Sequence, residues 1–291
     1  MGYANTRISA CLDWLTLVVR TVPNTDPYTP TKLPLKHEKH IGEELGSEIT
    51  NLMLADAVAM KFGRAPYRWG FKSELSKVVV FAGGEAPHLS VELSGQSCQW
   101  ARMLGIENQL LLAAIGLGTR ADFAVDTNLL CTPVELADMV NGGRTKTKSV
   151  IQSSTGETVY LGSQKSEHYA RIYRYADPHP RANMLRIEFV QRRERCKAAC
   201  QALANSGIES LVKSLWEEAG LPDLVDFGDV TFVESLNKSR PERDGKNTVS
   251  WLVKQAAPAF QRMVREGHIS NSEQFLRQYF LNEDIDGQGD L

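Results

Sequence analysis

The chain has 291 residues, 42% hydrophobic and 23% charged, with 33 Lys and Arg against 35 Asp and Glu. This composition excludes disordered and fibrous classes, leaves room for one large or two ordinary domains with a real core, and at net −2 gives no chain-wide polyanion- or membrane-binding character. The average hides segregation: residues 143–200 hold twelve basic and five acidic residues, a local net of +7 that leaves −9 for the rest, and mark a candidate anion-binding face.

Residues 12–19 are apolar and β-branched and predict a strand; Pro23, Pro27, Pro30 and Pro34 then exclude regular structure. Apolar residues at helical spacing predict a helix over 41–60, stopped by Phe62-Gly63. Three short runs, 67–72, 77–82 and 88–93, predict an antiparallel meander. A helix over 99–114 and an alternating strand over 119–125 follow, and Thr132-Pro133-Val134-Glu135 is a helix start. Strands are expected again at 158–161, 169–175 and 184–190, and helix from 193 to 204. The two passes suggest an internal duplication that matches Glu92 with Tyr160 and Asp122 with Glu188. Residues 249–264 are helical in pattern, and Glu283, Asp284, Asp286 and Asp290 form an acidic tail expected to be disordered. The expected class is α+β: antiparallel sheets with helices on one face, two pseudo-repeated halves, and a helical C-terminal region. The corresponding divisions are 1–192, 193–280 and 281–291.

Five scattered cysteines, Cys11, Cys98, Cys131, Cys196 and Cys200, fit reduced thiols in a cytoplasmic protein, and neither they nor His37 and His40 have zinc-site spacing. The apolar N-terminal run contains Asp13 and is not followed by a cleavage site, and residues 110–117 are too short to span a bilayer.

Alternation along the strands groups the polar residues. Arg120, Asp122, Ala124 and Asp126 share one side, as do Arg186 and Glu188, and His88, Ser90 and Glu92. Two readings stand: solvent faces laced by surface ion pairs, or carboxylates from neighbouring strands converging on a hard divalent cation. Arg171, Tyr173 and Tyr175 also share a face, interleaving rings and cations as a nucleic-acid strand requires, although tyrosines are also good strand formers that merely pack.

Five motifs in this order, LDWLTLVV, HLSVELSGQSC, TRADFAVD, TVYLGSQKSEHYARIY and LRIEF, resemble the Rep_trans-type replication initiators of rolling-circle plasmids and filamentous phages. Val249-Ser250-Trp251-Leu252 with Ala257-Pro258 resembles the phage-type branch. The resemblance implies an initiator that nicks one strand of origin DNA by tyrosine transesterification, leaving a 5′-phosphotyrosyl link and a 3′-OH primer, and later rejoins the ends. It places Tyr173 as nucleophile and Arg171 as phosphate clamp, with Tyr175 as the alternative nucleophile. It also implies Asp122, Glu188 and Glu92 as ligands of Mg²⁺ or Mn²⁺ and Asp126 in support, with Arg120, Arg186, Lys165 and Arg174 on DNA. Partners expected are single-stranded or hairpin origin DNA, a host helicase or polymerase, and a second copy of the chain. One departure is that Arg174 and Tyr175 stand where the family commonly has an acidic residue and lysine. Tyr160 and Tyr169 read as packing or stacking residues, and Gly162-Ser163-Gln164-Lys165-Ser166 as a polar turn able to hold a phosphate. A conjugative relaxase with the same chemistry and a non-catalytic initiator-derived DNA-binding regulator are the alternatives.

Overall fold

The computed structural model describes residues 8–20, 32–33, 35–84, 86–140, 147–154, 156–175, 181–182, 184–230, 233, 236, 261–262 and 264–266. The chain divides into two compact units, 1–236 and 237–291. The expected helix over 249–264 and the acidic tail lie almost wholly outside the described residues, as does most of the proline-rich stretch.

The first unit is built on one ten-stranded antiparallel sheet. In chain order it contains β1 (Ile8–Arg20), α1 (Leu35–Leu45), α2 (Ser47–Leu54), β2 (Val58–Ala59), β3 (Trp69–Lys72), β4 (Val79–Ala82), β5 (His88–Leu93), α3 (Gly95–Met103) and α4 (Glu107–Leu117). There follow β6 (Gly118–Thr127), α5 (Pro133–Asp138), β7 (Lys148–Ser153), β8 (Gly156–Leu161), β9 (His168–Arg174), β10 (Leu185–Arg192) and α6 (Glu194–Glu218). The strand order is β2-β3-β4-β5-β1-β6-β10-β9-β8-β7. Each half is a strand, then helix, then a four-stranded meander whose last strand returns beside the first, then helix; β1 and β6 meet in the middle.

The duplication is therefore real, but its alignment differs from the one suggested by sequence. Topology pairs β5 with β10 and β1 with β6, so Glu92 corresponds to a residue of β10 and not to Tyr160 on β8. Short strand–turn–strand motifs match at several offsets, and only the pairing order selects one.

One face of the sheet is apolar. Leu15, Leu17, Val91, Phe123, Val125, Ile187, Phe189 and Ile172 are buried there with Leu110, Ala114, Leu136, Cys196, Ala199, Cys200 and Leu215 from the helices in a single core. The helix α6, expected to open a separate C-terminal region, packs on β6 and β10 as part of this unit.

Glycines divide what periodicity joined. The helix expected over 41–60 ends at Leu45, restarts at Ser47 after Gly46 (φ 89°), and stops at Leu54, so Val58 and Ala59 pair as a strand instead. Gly105 (φ 71°) splits the second expected helix into α3 and α4. Its N–H bonds the Arg102 carbonyl at 3.0 Å and that of Ile106 bonds Ala101 at 3.0 Å, a Schellman close. Thr132 caps α5 with a complete capping box to Glu135, as its sequence predicts. The strand β7 was not foreseen: all six of its residues are exposed, so no alternation marks it.

Candidate active site on the polar face of the sheet

On the face away from the helices, β6, β10 and β9 bring together most of the residues singled out by alternation. Glu188 lies opposite Ala124 on one side and Arg171 on the other; Arg186 lies opposite Asp126 and Tyr173. The carboxylates are buried: Asp126 is 0% exposed, Glu188 1% and Asp122 2%. Such charges persist in a protein interior only when paired and hydrogen-bonded.

Glu188 is the centre of the first cluster. Arg171 donates to its Oε2 through Nε at 3.0 Å and through Nη2, and the Tyr173 hydroxyl donates to its Oε1. The Arg171 guanidinium also lies 5.2 Å from the Tyr173 ring centroid. Burial, then the charge of Glu188, hold the Tyr173 phenol well above its usual value, outweighing Arg186 and Arg171. The sequence suggests that a neighbouring cation would activate this phenol. In the structure Glu188 intervenes, so the resting hydroxyl is protonated with a base already in contact with its proton.

Asp126 is the second centre. It accepts from Arg186 Nε at 2.8 Å and Nη2 at 3.0 Å, and from Arg181, while Arg186 Nη1 reaches Asp13 Oδ1 at 2.9 Å. Arg186 is 7% exposed, so it braces the site and is not presented to a DNA backbone. Tyr175, just past β9, lies with its ring 5.0 Å from that guanidinium and 5.9 Å from the Tyr173 ring, edge-on; burial pushes its phenol up to about 12. Farther along β6, Arg120 holds Asp122 (Nε–Oδ1 2.9 Å, Nη2–Oδ2 2.5 Å) and lies 5.0 Å from the Trp14 ring. Burial raises the Asp122 carboxyl against the pull of Arg120.

Three expected site residues stand elsewhere. Arg174 pairs with buried Leu185 on the opposite side of β9 from Tyr173 and binds the carbonyls of Leu129 and Cys131 at 2.9 and 2.8 Å, anchoring the β6–α5 connection. Lys165 sits in the exposed turn between β8 and β9, where Ser163 Oγ accepts its N–H at 3.2 Å. Glu92, on β5, is bonded by Arg64 and is separated from β10 by β1 and β6.

Asp122, Glu188 and Glu92 thus do not form one donor set. Among the described residues no group of three or more His, Cys, Asp or Glu side chains is placed to hold a metal ion. Each of the three carboxylates has an arginine as its partner.

Sequence reading missed Asp13. Strict alternation puts it with Leu15 and Leu17 on the apolar face, but a bulge between Leu12 and Trp14 adds one residue and turns Asp13 toward Arg186. Its carboxylate also fits against Gly95 at the start of α3, where a Cβ would come within 2.9 Å of Oδ1. This close approach gives the glycine of the ELSG motif a physical reason. Arg64 was missed as well, because it lies in the β2–β3 connection, outside any periodic segment.

No protein-family model and no curated protein matches the sequence. Among solved structures, a rolling circle replication initiator protein from Geobacillus stearothermophilus superimposes with a TM-score of 0.52 at 19% identity, over 73% of this chain and 85% of that one. The two chains share a fold. That likeness concerns the α+β architecture, which carries the candidate site on its polar face. No described helix is long and apolar enough to cross a membrane.

Proposed function

We propose that this protein is a rolling-circle replication initiator that nicks and rejoins one DNA strand through Tyr173. The observation that carries the proposal is the Tyr173 hydroxyl donating to buried Glu188, itself held by Arg171, on a fold shared with an initiator. In the proposed step the Tyr173 Oη attacks a phosphodiester phosphorus as its proton passes to Glu188. The Oη–P bond forms, the P–O3′ bond breaks, and the leaving O3′ takes a proton from solvent. The product is a 5′-phosphotyrosyl link beside a free 3′-OH, and the reverse step rejoins the ends. Arg171, with its guanidinium 5.2 Å from the Tyr173 ring centroid, is the group proposed to absorb charge on the phosphoryl oxygens.

The experiment is covalent capture. A random-sequence single-stranded DNA library labelled at its 3′ ends is incubated with protein in Mg²⁺, Mn²⁺ or EDTA and resolved on a denaturing gel. Label on the protein that maps to Tyr173 supports the proposal, and its loss in EDTA adds the divalent cation. DNA binding with no adduct under any condition overturns it in favour of a non-catalytic DNA-binding regulator.

A further inference from the structure

The duplicated topology sets a second cluster on the same polar face. Glu188 lies opposite Arg171, and two residues back along β10 Arg186 lies opposite Tyr173. In the first half, Glu92 lies opposite Val79, and two residues back along β5 Ser90 lies opposite Phe81. Glu92 thus takes the place of Glu188 and Phe81 that of Tyr173, while Val79 replaces Arg171. The missing guanidinium is supplied from outside the strands: Arg64 donates to Glu92 Oε2 through Nη1 at 3.2 Å and to Oε1 through Nη2, and lies 4.5 Å from the Phe81 ring centroid. The arrangement of arginine on glutamate and over a ring therefore occurs twice; at the place of Tyr173 the first copy has Phe81, which carries no hydroxyl, and the nearby Tyr67 phenol bonds Ser90.

Arg64 stays 55% exposed although its partner is 9% exposed, and Phe62 nearby in the chain is 70% exposed with the Lys61 ammonium 5.3 Å from its ring centroid. Phe81, the ring under Arg64, is packed in turn by half-buried Tyr67 at 6.0 Å, itself edge-on to His88 at 5.6 Å. An open guanidinium over a buried floor, beside an exposed ring and a lysine, offers a phosphate contact next to a base-stacking contact. With β1 and β6 between them, and four residues of offset along β6, the two copies are on the order of 20 Å apart, a span of several nucleotides.

We infer that the Arg64–Glu92–Phe81 cluster, with Phe62 and Lys61, is a second, non-cleaving site for the backbone of single-stranded DNA, holding the strand whose scissile phosphate lies at Tyr173. This rests on the proposed function for the identity of the strand, not for the existence of the site.

The test measures binding of a fluorescein-labelled, mixed-sequence 30-nucleotide single strand by anisotropy across a salt series. Wild type, Arg64→Gln, Arg64→Lys and, as a surface control, Lys36→Gln are compared, alongside adduct formation on the 3′-labelled library. Arg64→Gln is expected to weaken binding about 5–10-fold and to lower the slope of log K against log salt by about 0.7, the loss of one phosphate contact on a single strand. Arg64→Lys should restore the slope, and Lys36→Gln should leave it unchanged. An Arg64→Gln protein with unaltered slope and affinity, in a wild type that forms the Tyr173 adduct, overturns this site and leaves the proposed function standing. An Arg64-dependent slope without any adduct keeps the site and removes the nicking reading. A wild type that binds no single strand removes both.

Discussion

The Tyr173 hydroxyl donates to Glu188 Oε1 across the β9–β10 pair, and that contact fixes which group takes the proton if the phenol attacks. Tyr173→Phe removes this donor and the attacking oxygen together. The variant is expected to fold and to form no adduct above background, whereas Tyr175→Phe retains it. Peptide mapping of the labelled protein checks the assignment, and adduct at residue 175 would transfer the role to Tyr175.

Glu188→Gln keeps an oxygen for Arg171 but cannot take a proton. A drop in single-turnover adduct rate of about 10²–10⁴-fold is expected, the usual worth of a general base. A rate within threefold of wild type would show that another group receives the proton.

Asp126 is fully buried between Arg186 and Arg181, and its replacement leaves a guanidinium that is 7% exposed short of a counter-charge. Asp126→Asn is expected to destabilise the protein by about 3–5 kcal/mol, read as a lower urea midpoint at unchanged slope. Loss of adduct should follow the folded fraction and no more.

Gly95→Ala tests the seat of Asp13. The added methyl would lie 2.9 Å from an oxygen already pinned by Arg186, so the carboxylate must move. A stability loss of about 1–2 kcal/mol is expected from the displaced pair, partly offset by the higher helix propensity of alanine. A stabilised variant would show that the carboxylate swings aside freely.

His37 is 1% exposed, with no hydrogen-bond partner on either ring nitrogen among the described residues, and burial followed by Lys36 lowers its pKa to about 4. Unfolded, the imidazole takes a proton near pH 6.5. The unfolded state therefore binds more protons between about 6.5 and 4, and stability falls as pH drops through that window. Urea titrations at pH 7 and pH 5 should differ by about 1–2 kcal/mol in wild type and by much less in His37→Phe, beyond whatever other groups contribute equally to both.

Alternation and turn chemistry determined most strands, the polar face and the Thr132 cap, because period-two burial and capping are local. They put Tyr173, Arg171, Glu188, Arg186 and Asp126 on the correct side of their strands without any knowledge of partners. Which carboxylate meets which cation depends on strand order and register, which follow from the whole core, so only the tertiary structure separated Glu92 from Glu188 and gave Arg174, already on the opposite face by alternation, its carbonyl partners. Asp13 was hidden by a bulge that breaks the period, and Arg64 by a connection that has none. The duplication followed the same division: its existence is legible in the repeated strand patterns, while its alignment, and with it a second copy of the arginine–glutamate–ring cluster, was set by the pairing of β5 with β1 and β10 with β6.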